Sequence, residues 1–218
     1  MQLYFMGIAY RKKVDDDTEL ALWKIEENAE ELYQQLQLDE EEQSYLQKLS
    51  NSKRYLHWLG TRVLLRKMLN TEEYIDCRAD EHGKPYLTSI PYHISFSHSF
   101  DYAAVMISKN KPVGIDIERV DQKVERIVKK FLRPDELAFI QPKHRIMQLY
   151  ICWCAKEAIY KCYGRKEVSF LNHIYLDAFD YHKAGVFHAT IKNEMVNLNF
   201  EVAYFQFNEY MIGYAKEA

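Results

Sequence analysis

The stretch KPVGIDIERV, residues 111–120, combines a β-branched apolar rhythm with one glycine and two carboxylates. Side chains of a β-strand alternate between its two faces. The apolar residues at 113, 115 and 117 are therefore predicted on one face, and Gly114, Asp116 and Glu118 on the other. Carboxylates about 7 Å apart along one face suit a single hard cation. An edge strand with a solvated polar face explains the same pattern, so this stretch alone leaves both interpretations open.

The segments before this stretch predict helices followed by strands. Residues 1–10 predict a first strand, and LALWKIEE has a short strand-like apolar pattern. Helical patterns follow in ENAEELYQQL, in LDEEEQSYLQKL and in SNSKRYLHWLGTRVLLRKMLN. Gly83 and Pro85 mark a turn. Residues 86–118 then predict a meander of three strands, of which VGIDIE is the last.

The segments after the stretch repeat this order. KVERIVKKFLRPDELAFI predicts a helix interrupted at Pro134, and QLYICWCAKEAIYKCYG predicts a longer helix that ends at Gly164. Aromatic and polar residues alternate over about 170–218, which predicts antiparallel strands. No linker rich in Gly, Ser or Pro divides the chain, so two subdomains would have to pack together.

Composition indicates a soluble globular protein. The chain has 218 residues, 48% of them hydrophobic and 28% charged, and a net charge of −3. There is no global basic excess, so neither nucleic acid nor an anionic membrane is an expected partner. No apolar run approaches the about 18 residues of a membrane helix, and MQLYFMGIAYRKK is interpreted as a strand, not a signal peptide. We therefore expect a cytoplasmic protein.

The four cysteines are Cys77, Cys152, Cys154 and Cys162. Their spacing is not one that zinc sites use. Free, buried thiols in a reducing cytosol are the expected state.

Three further groups of polar residues are candidates for chemistry. Glu157 and Lys161 are one turn apart in WCAKEAIYK, where an ordinary surface ion pair competes with a functional role among apolar neighbours. The serine–histidine cluster 97–99 in HISFSHS could bind a phosphate, although a lone histidine is more often a satisfied core residue. A row of arginines in the third helix forms either a solvated flank or an anion-binding wall; its members are Arg54, Arg62 and Arg66.

Several motifs together resemble one known family. GKPYL, SFSHS, VGIDIE and WCAKEAIYK occur in this order over residues 83–161. They resemble the 4′-phosphopantetheinyl transferase superfamily, and more narrowly its surfactin-synthetase-activating (Sfp-type) members. The last two resemble the family signatures G-[IV]-D-[IV]-E and W-x-x-K-E-x-x-x-K position for position, and KFLRPDE resembles a further family segment. This resemblance favours metal binding by VGIDIE.

The resemblance implies an enzyme that moves the 4′-phosphopantetheine arm of coenzyme A onto a serine of an apo carrier protein, acyl or peptidyl. Adenosine 3′,5′-bisphosphate is the other product. Asp116, Glu118 and Glu157 match the family's acidic ligands for Mg²⁺, with Mn²⁺ as an alternative. Glu157 or a metal-bound water is the candidate base, and Lys161 matches the lysine that meets the transferred phosphate. Clamping by a cation and by lysine suits a reaction that shifts charge onto a leaving phosphate.

The resemblance also assigns the nucleotide end of coenzyme A. Lys84, Ser97 and His98 match residues that grip its 3′-phosphate and nucleotide. Arg54 matches a nucleotide-binding arginine less securely, because Arg62 and Arg66 compete for that role. Ser95 stands where several relatives have Asn.

We therefore expect an α+β fold of two pseudo-symmetric subdomains, each a small antiparallel sheet with flanking helices. Residues 1–108 would hold the nucleotide and residues 109–218 the metal and catalytic groups, with coenzyme A in the cleft between them. The larger two-halved members of the family are commonly monomeric, and a monomer is expected here. The basic residues of 123–133 would form either a contact for the acidic carrier or a solvated helix face.

Two other functions fit the same residues. A Mg²⁺-dependent phosphodiesterase or pyrophosphatase-like hydrolase would release the arm to water. A non-catalytic module would only bind coenzyme A or a carrier protein. The sequence does not identify the carrier or its pathway.

Overall fold

The computed structural model describes residues 7–49 and 52–218. It confirms the α+β fold with two subdomains, each an antiparallel sheet with flanking helices. The first predicted strand, over residues 1–10, lies partly outside the described residues, and within them it begins at Ile8. Ser50, where the third helical pattern starts, also lies outside them.

The first half is a six-stranded sheet covered on one face by helices. Its helices are α1 (Ala29–Tyr33), α2 (Glu40–Leu49) and α3 (Lys53–Leu69). Its strands are β1 (Ile8–Lys13), β2 (Thr18–Lys24), β3 (Cys77–Ala79), β4 (Pro85–Leu87), β5 (His93–Ser99) and β6 (Tyr102–Ser108). Their order in the sheet is β1-β2-β6-β5-β4-β3.

The second half is a five-stranded sheet. Its helices are α4 (Pro134–Ala138) and α5 (Arg145–Tyr163), and α5 ends at Gly164 as predicted. Its strands are β7 (Val113–Arg119), β8 (Ile174–Leu176), β9 (Ala184–Lys192), β10 (Asn197–Phe207) and β11 (Tyr210–Glu217). Their order is β7-β11-β10-β9-β8, so β7 is an edge strand.

Two local predictions were wrong. The meander over residues 86–118 does not form, because β7 pairs with β11 in the second sheet instead of with β6. The helix predicted after residue 120 is replaced by two 3₁₀ turns, Gln122–Arg126 and Val128–Lys130, and by the short helix α4. Val124 and Val128 are buried in the core around α5. Tertiary packing therefore outweighs the local helical pattern there.

The two sheets pack face to face between outer helices. In β2, Leu20 and Leu22 face the other sheet, whereas Ala21 and Trp23 face the core under α1–α3. The apolar residues of β7 lie in the same inter-sheet core, as the alternation in the opening stretch predicts. The chain therefore forms four layers: helices, first sheet, second sheet, helix.

Glycine allows helix α5 to lie directly on β7 and β11. A Cβ at Gly114 would lie 1.9 Å from the backbone oxygen of Ala158, and one at Gly213 would lie 2.9 Å from the backbone carbon of Cys154. No larger residue fits this approach without moving the helix. The contact sets Glu157 and Lys161 of α5 above the polar face of β7.

Two predictions from the composition concern the state of the cysteines and membrane-spanning helices. The four cysteines are free and buried, as expected. Among the described residues, no helix combines the length and the apolar character that a membrane span requires.

Candidate functional site

One cleft of about 850 Å³ is lined by both halves of the chain. The first half contributes α2, α3 and β3–β5, and the second contributes β7 and α5. All the residues predicted for the site line this cleft: Arg54, Lys84, Ser97, His98, Asp116, Glu118, Glu157 and Lys161. The structure therefore brings together residues that are spread over about half of the chain.

Asp116 is a buried carboxylate with one satisfied oxygen. Its Oδ1 accepts hydrogen bonds from the Ser97 hydroxyl at 2.8 Å and from the Lys161 ammonium at 2.8 Å. Its Oδ2 is buried and has no hydrogen-bond partner among the described residues. A buried charged oxygen without a partner is costly. This oxygen is therefore suited to a cation that the protein does not itself supply.

Glu118 lies two residues further along the same face of β7. Its Oε1 accepts from the Trp153 indole at 3.3 Å, and its Oε2 accepts from the Ser99 hydroxyl at 3.1 Å. Burial raises the pKa of Glu118, and the nearby charge of Asp116 raises it further. Partners from α5 and β5 thus fix both oxygens of this carboxylate.

The side chain of Glu157 makes no hydrogen bond or ion pair with the described residues, although it lines the cleft. The ordinary ion pair with Lys161 one turn later does not form, because Lys161 donates to Asp116 and to the backbone oxygen of Ile115 at 3.0 Å. Burial raises the pKa of Glu157 to about 7, and the charge of Asp116 adds to this while Lys161 opposes it. A carboxyl group with a pKa near neutrality can accept or donate a proton under ordinary conditions.

The donor set fits Mg²⁺ in its chemistry, because Mg²⁺ takes carboxylate oxygens and keeps several waters. The unpartnered Oδ2 of Asp116 and the effect of Asp116 on the pKa of both glutamates support such a site. An assembled cluster is not present: in residues 7–49 and 52–218, no three His, Cys, Asp or Glu side chains are arranged to hold a metal ion. The convergence of the three carboxylates on one ion therefore stays a prediction.

Lys84 crosses from the first half to the end of α5. Its ammonium donates to the backbone oxygen of Cys162, and burial lowers its pKa. Its stem fills the space beside Gly164, where a Cβ would lie 2.3 Å from the Lys84 Cδ. Carbonyl groups at a helix C-terminus favour a cation, so this lysine is held at the junction of the halves.

Ser97 and His98 point to opposite sides of β5. The Ser97 hydroxyl is buried, and it donates to Asp116 while accepting from the backbone N–H of Ile117 at 3.3 Å. A hydroxyl has one hydrogen to donate, so that of Ser97 is already used within the protein. The geometry thus directs the Ser97 hydroxyl to the carboxylate site instead of to a nucleotide.

His98 stacks on a second histidine that the sequence did not identify. The rings of His57 and His98 are 4.2 Å apart with an angle of 19° between their planes. His57 Nε2 donates to the backbone oxygen of Phe100 at 2.6 Å. Burial lowers the pKa of His98 to about 4, with further lowering by His57 and Lys161. His98 is therefore a neutral imidazole near pH 7.

The competing arginines occupy different places. Arg54 is exposed at the edge of the cleft, and Arg62 also lines it. The guanidinium of Arg62 lies between two rings, 4.7 Å from the centre of Trp58 and 4.5 Å from that of Phe96. Its Nε is buried without a hydrogen-bond partner among the described residues. The sequence signal for this stack was the one-turn spacing of Trp58 and Arg62.

Arg66 does not belong to the cleft lining. Its guanidinium donates to the backbone oxygens of Glu72 and Glu73, in the loop that follows α3. Of the three arginines considered for binding the nucleotide, only Arg54 and Arg62 line the cleft.

Lys156, the motif lysine beside Glu157, points away from the cleft. It is 0% exposed, and its ammonium pairs with Glu136 at 2.8 Å. The backbone oxygens of Phe170 and Ile174 accept its remaining hydrogens at 2.9 and 2.8 Å. A buried charge is tolerated when it is paired and fully hydrogen-bonded. This lysine therefore joins α4, α5 and the start of β8 and is not available to a ligand.

Comparison with known proteins identifies related sequences. Residues 112–215 match the profile of the 4′-phosphopantetheinyl transferase superfamily. A 4′-phosphopantetheinyl transferase of Aneurinibacillus migulanus is 30% identical over 63% of this chain and 60% of its own length. One of Bacillus subtilis is 36% identical over 39% of each chain. One of Bacillus pumilus is 33% identical over 43% of this chain and 41% of its own. The matches thus span less than two thirds of these relatives.

Proposed function

We propose, from the similarity of residues 112–215 to the 4′-phosphopantetheinyl transferase superfamily and of the chain to transferases of this name, that it transfers the 4′-phosphopantetheine arm of coenzyme A to a serine of an apo acyl or peptidyl carrier protein. Adenosine 3′,5′-bisphosphate is the leaving product. The observation that carries the proposal is the single cleft lined by the family's acidic and basic motif residues from both halves. Coenzyme A is highly anionic, and a cleft lined by lysine and arginine side chains suits it.

In this proposal, Asp116, Glu118 and Glu157 hold Mg²⁺, with Mn²⁺ as a substitute. When bound, such an ion would neutralise charge on the pyrophosphate and on the leaving phosphate. Lys161 is within reach of the same position, because its ammonium already contacts Asp116 Oδ1. We assign it to a phosphate oxygen of the transferred group, where a compact point charge is suitable.

The proton of the carrier serine is assigned to Glu157. The serine oxygen bonds to the β-phosphorus of coenzyme A, and the bond from that phosphorus to the bridging oxygen breaks. The electron pair leaves with adenosine 3′,5′-bisphosphate. The side chain of Glu157 lines the cleft and has no hydrogen-bond partner among the described residues, which leaves it able to accept this proton; a water held by the ion would be the alternative base.

The nucleotide end is assigned to Lys84, His98 and Arg54, with Arg62 as a further donor. Lys84 and His98 lie between the halves, and the two arginines lie on α3 at the edge of the cleft. The neutral His98 can donate one hydrogen bond to a phosphate. Nothing in this set assigns the carrier, so the acyl and peptidyl types both remain within the proposal.

Other features follow from the family. A monomer, a cytoplasmic location and a division between residues 108 and 109 stay predictions. The carrier contact among the basic residues of 123–133 is also proposed. Lys123 lies over the exposed ring of Phe100, 5.6 Å from its centre, and Phe100 directly follows Ser99, whose hydroxyl donates to Glu118.

The test is a transfer assay read by intact mass. Apo acyl and peptidyl carriers are incubated with coenzyme A, Mg²⁺ and the protein. We expect the carrier to gain one phosphopantetheine arm. Asp116→Ala and Glu157→Ala should lower the rate at least about 100-fold, whereas Glu194→Ala, on an exposed turn, should not. Bisphosphate released without a mass gain on any carrier would favour the hydrolase, and no release at all would favour a binding module.

A further inference from the structure

Strands β5 and β7 belong to different sheets, yet serine side chains join them. Three alternate serines of β5 each accept a hydrogen bond from a backbone N–H of β7. In each pair the β7 residue is 20 positions later in the chain. The pairs are Ser95 with Ile115 at 3.0 Å, Ser97 with Ile117 at 3.3 Å and Ser99 with Arg119 at 3.1 Å.

This serine ladder replaces a missing neighbouring strand. β7 is an edge strand, so alternate N–H groups point away from β11 and lack a backbone acceptor. Ile115 and Ile117 are buried, where an unpaired N–H is costly. The three hydroxyls therefore satisfy the outer edge of the strand that carries Asp116 and Glu118.

The three serines differ in whether their hydroxyl also donates a hydrogen bond to a carboxylate. Ser97 donates to Asp116 Oδ1 at 2.8 Å, and Ser99 donates to Glu118 Oε2 at 3.1 Å. The side-chain position before Asp116 on that face is Gly114, which offers Ser95 no carboxylate. All three serines thus make the same backbone contact, but only two of them hold an acidic side chain.

We propose that Ser97 and Ser99 are positioning residues that orient the carboxylates of Asp116 and Glu118 from the opposite half of the molecule. Ser95 makes only the hydrogen bond to the backbone of β7. The inference rests on the proposed function for the identity of the two carboxylates as metal ligands. Groups that hydrogen-bond to metal ligands fix their orientation, and loss of one typically costs about 10- to 100-fold in metal affinity.

The ladder links the site to the packing of the two halves. The carboxylates sit on the second sheet, whereas the hydroxyls that hold them sit on the first. A shift of one half against the other would break the contact to the backbone and the contact to the carboxylate together. The acidic site is therefore complete only when β5 lies along β7.

The experiment measures divalent-metal binding without substrate. Mn²⁺ is titrated into the full chain, and free Mn²⁺ is followed by electron paramagnetic resonance, with thermal unfolding measured in parallel. We expect Ser97→Ala and Ser99→Ala to weaken Mn²⁺ binding about 10-fold or more. The matched control Ser95→Ala should change it less than about 2-fold, because it removes the backbone contact alone. All three should lower the unfolding temperature, because each leaves a backbone N–H of β7 without its acceptor.

Two further variants keep the test decisive. Ser97→Thr and Ser99→Thr retain the hydroxyl and should restore Mn²⁺ affinity. If an alanine variant does not fold, the corresponding cysteine variant keeps the size with a much weaker donor, and it should still bind Mn²⁺ more weakly than the wild type.

Several results would overturn the inference. Mn²⁺ affinity unchanged in the Ser97 and Ser99 variants would remove the positioning role, as would an equal loss in Ser95→Ala. Loss of adenosine 3′,5′-bisphosphate binding with normal Mn²⁺ binding in Ser97→Ala would make that serine a nucleotide ligand instead. A wild-type chain that binds no Mn²⁺ and no Mg²⁺ would contradict the proposed metal site itself, and the inference with it.

Discussion

At the scale of one residue, the surroundings of Glu157 lower the stability of the folded protein when its carboxyl group is charged. Its carboxyl group is partly buried near Asp116 and Glu118 and makes no hydrogen bond within the described residues. Burial is the larger cause of its raised pKa, and the negative neighbours add to it. The folded protein therefore holds a proton on Glu157 at a pH where the unfolded chain has lost it.

The raised pKa of Glu157 makes the stability of the protein depend on pH. A raised pKa in the folded state favours folding below the unfolded value of 4.5, and this contribution is lost as the pH rises to about 7. We predict that Glu157→Gln stabilises the metal-free protein at pH 8 by about 3 kcal/mol and has little effect at pH 4. Urea unfolding at both pH values measures the difference. Equal effects at the two pH values, or the same gain from Glu194→Gln, would contradict this account of Glu157.

Arg62 and Arg66 form a matched pair one turn apart on α3. Arg62 lies in the cleft between Trp58 and Phe96, whereas Arg66 is bonded to the loop after the helix. We predict that Arg62→Ala raises the KM for coenzyme A about 10-fold or more, the cost of one charged hydrogen bond, and leaves kcat nearly unchanged. Steady-state kinetics with Arg66→Ala as the control checks this. A similar rise in KM for both variants would contradict the assignment of Arg62 to coenzyme A binding.

At the scale of an element, the approach of α5 to β7 decides the site. Gly114 has no side chain, and the helix backbone occupies the space where one would be. We predict that Gly114→Ala costs about 3 kcal/mol or more of stability and abolishes transfer, because it moves Glu157 and Lys161 away from Asp116. Unfolding and activity are measured on the same sample.

The control is Gly185→Ala on β9, whose added methyl would meet the phenol end of the Tyr204 side chain instead of a helix backbone. It should lower stability less and leave activity per folded molecule unchanged. Normal activity in folded Gly114→Ala would show that close packing of α5 is not needed for the site.

What the sequence could predict at this scale depends on how local each signal is. The two faces of β7 follow from the period of two, and the end of α5 follows from Gly164. The sheet to which β7 belongs does not follow, because its partner β11 comes at the end of the chain. Likewise, the spacing of Glu157 and Lys161 predicts neighbours on one helix. The ion pair that forms joins Lys161 to Asp116 instead, since a strand from elsewhere lies beneath it.

The site residues show the same limit. Their types and order in the motifs were sufficient to predict eight of the side chains that line the cleft. The direction of the Ser97 hydroxyl and the stacking of His57 on His98 depend on packing between distant segments, for which the sequence carries no periodic signal. Lys156 belongs to a motif yet is buried, because its partner Glu136 comes from a separate helix.

At the scale of the whole molecule, the halves share one continuous interface. Its apolar core contains side chains from β2 and β6 of the first sheet and from β7, β10 and β11 of the second. Polar contacts also cross it, including Lys12 to Tyr214 at 2.8 Å and Lys216 to Asp15 at 3.2 Å. Such an interface resembles the core of one domain more than a contact between independent domains.

We therefore predict a single cooperative unfolding transition. Trp23 and Trp58 report on the first half and Trp153 on the second. Urea unfolding followed by fluorescence and by far-ultraviolet circular dichroism should give coincident curves. Two separated transitions would show that the halves are stable independently and that the interface contributes little.

We expect Asp116, Glu118 and Glu157 to hold one divalent ion beside the pyrophosphate of coenzyme A. Anomalous scattering from a crystal of the complex with Mn²⁺ and coenzyme A tests it most directly. We predict one manganese peak in contact with all three carboxylates, with Lys161 moved from Asp116 to a phosphate oxygen. A manganese ion bound elsewhere, or an intact bond between Lys161 and Asp116 with coenzyme A outside the cleft, would contradict it.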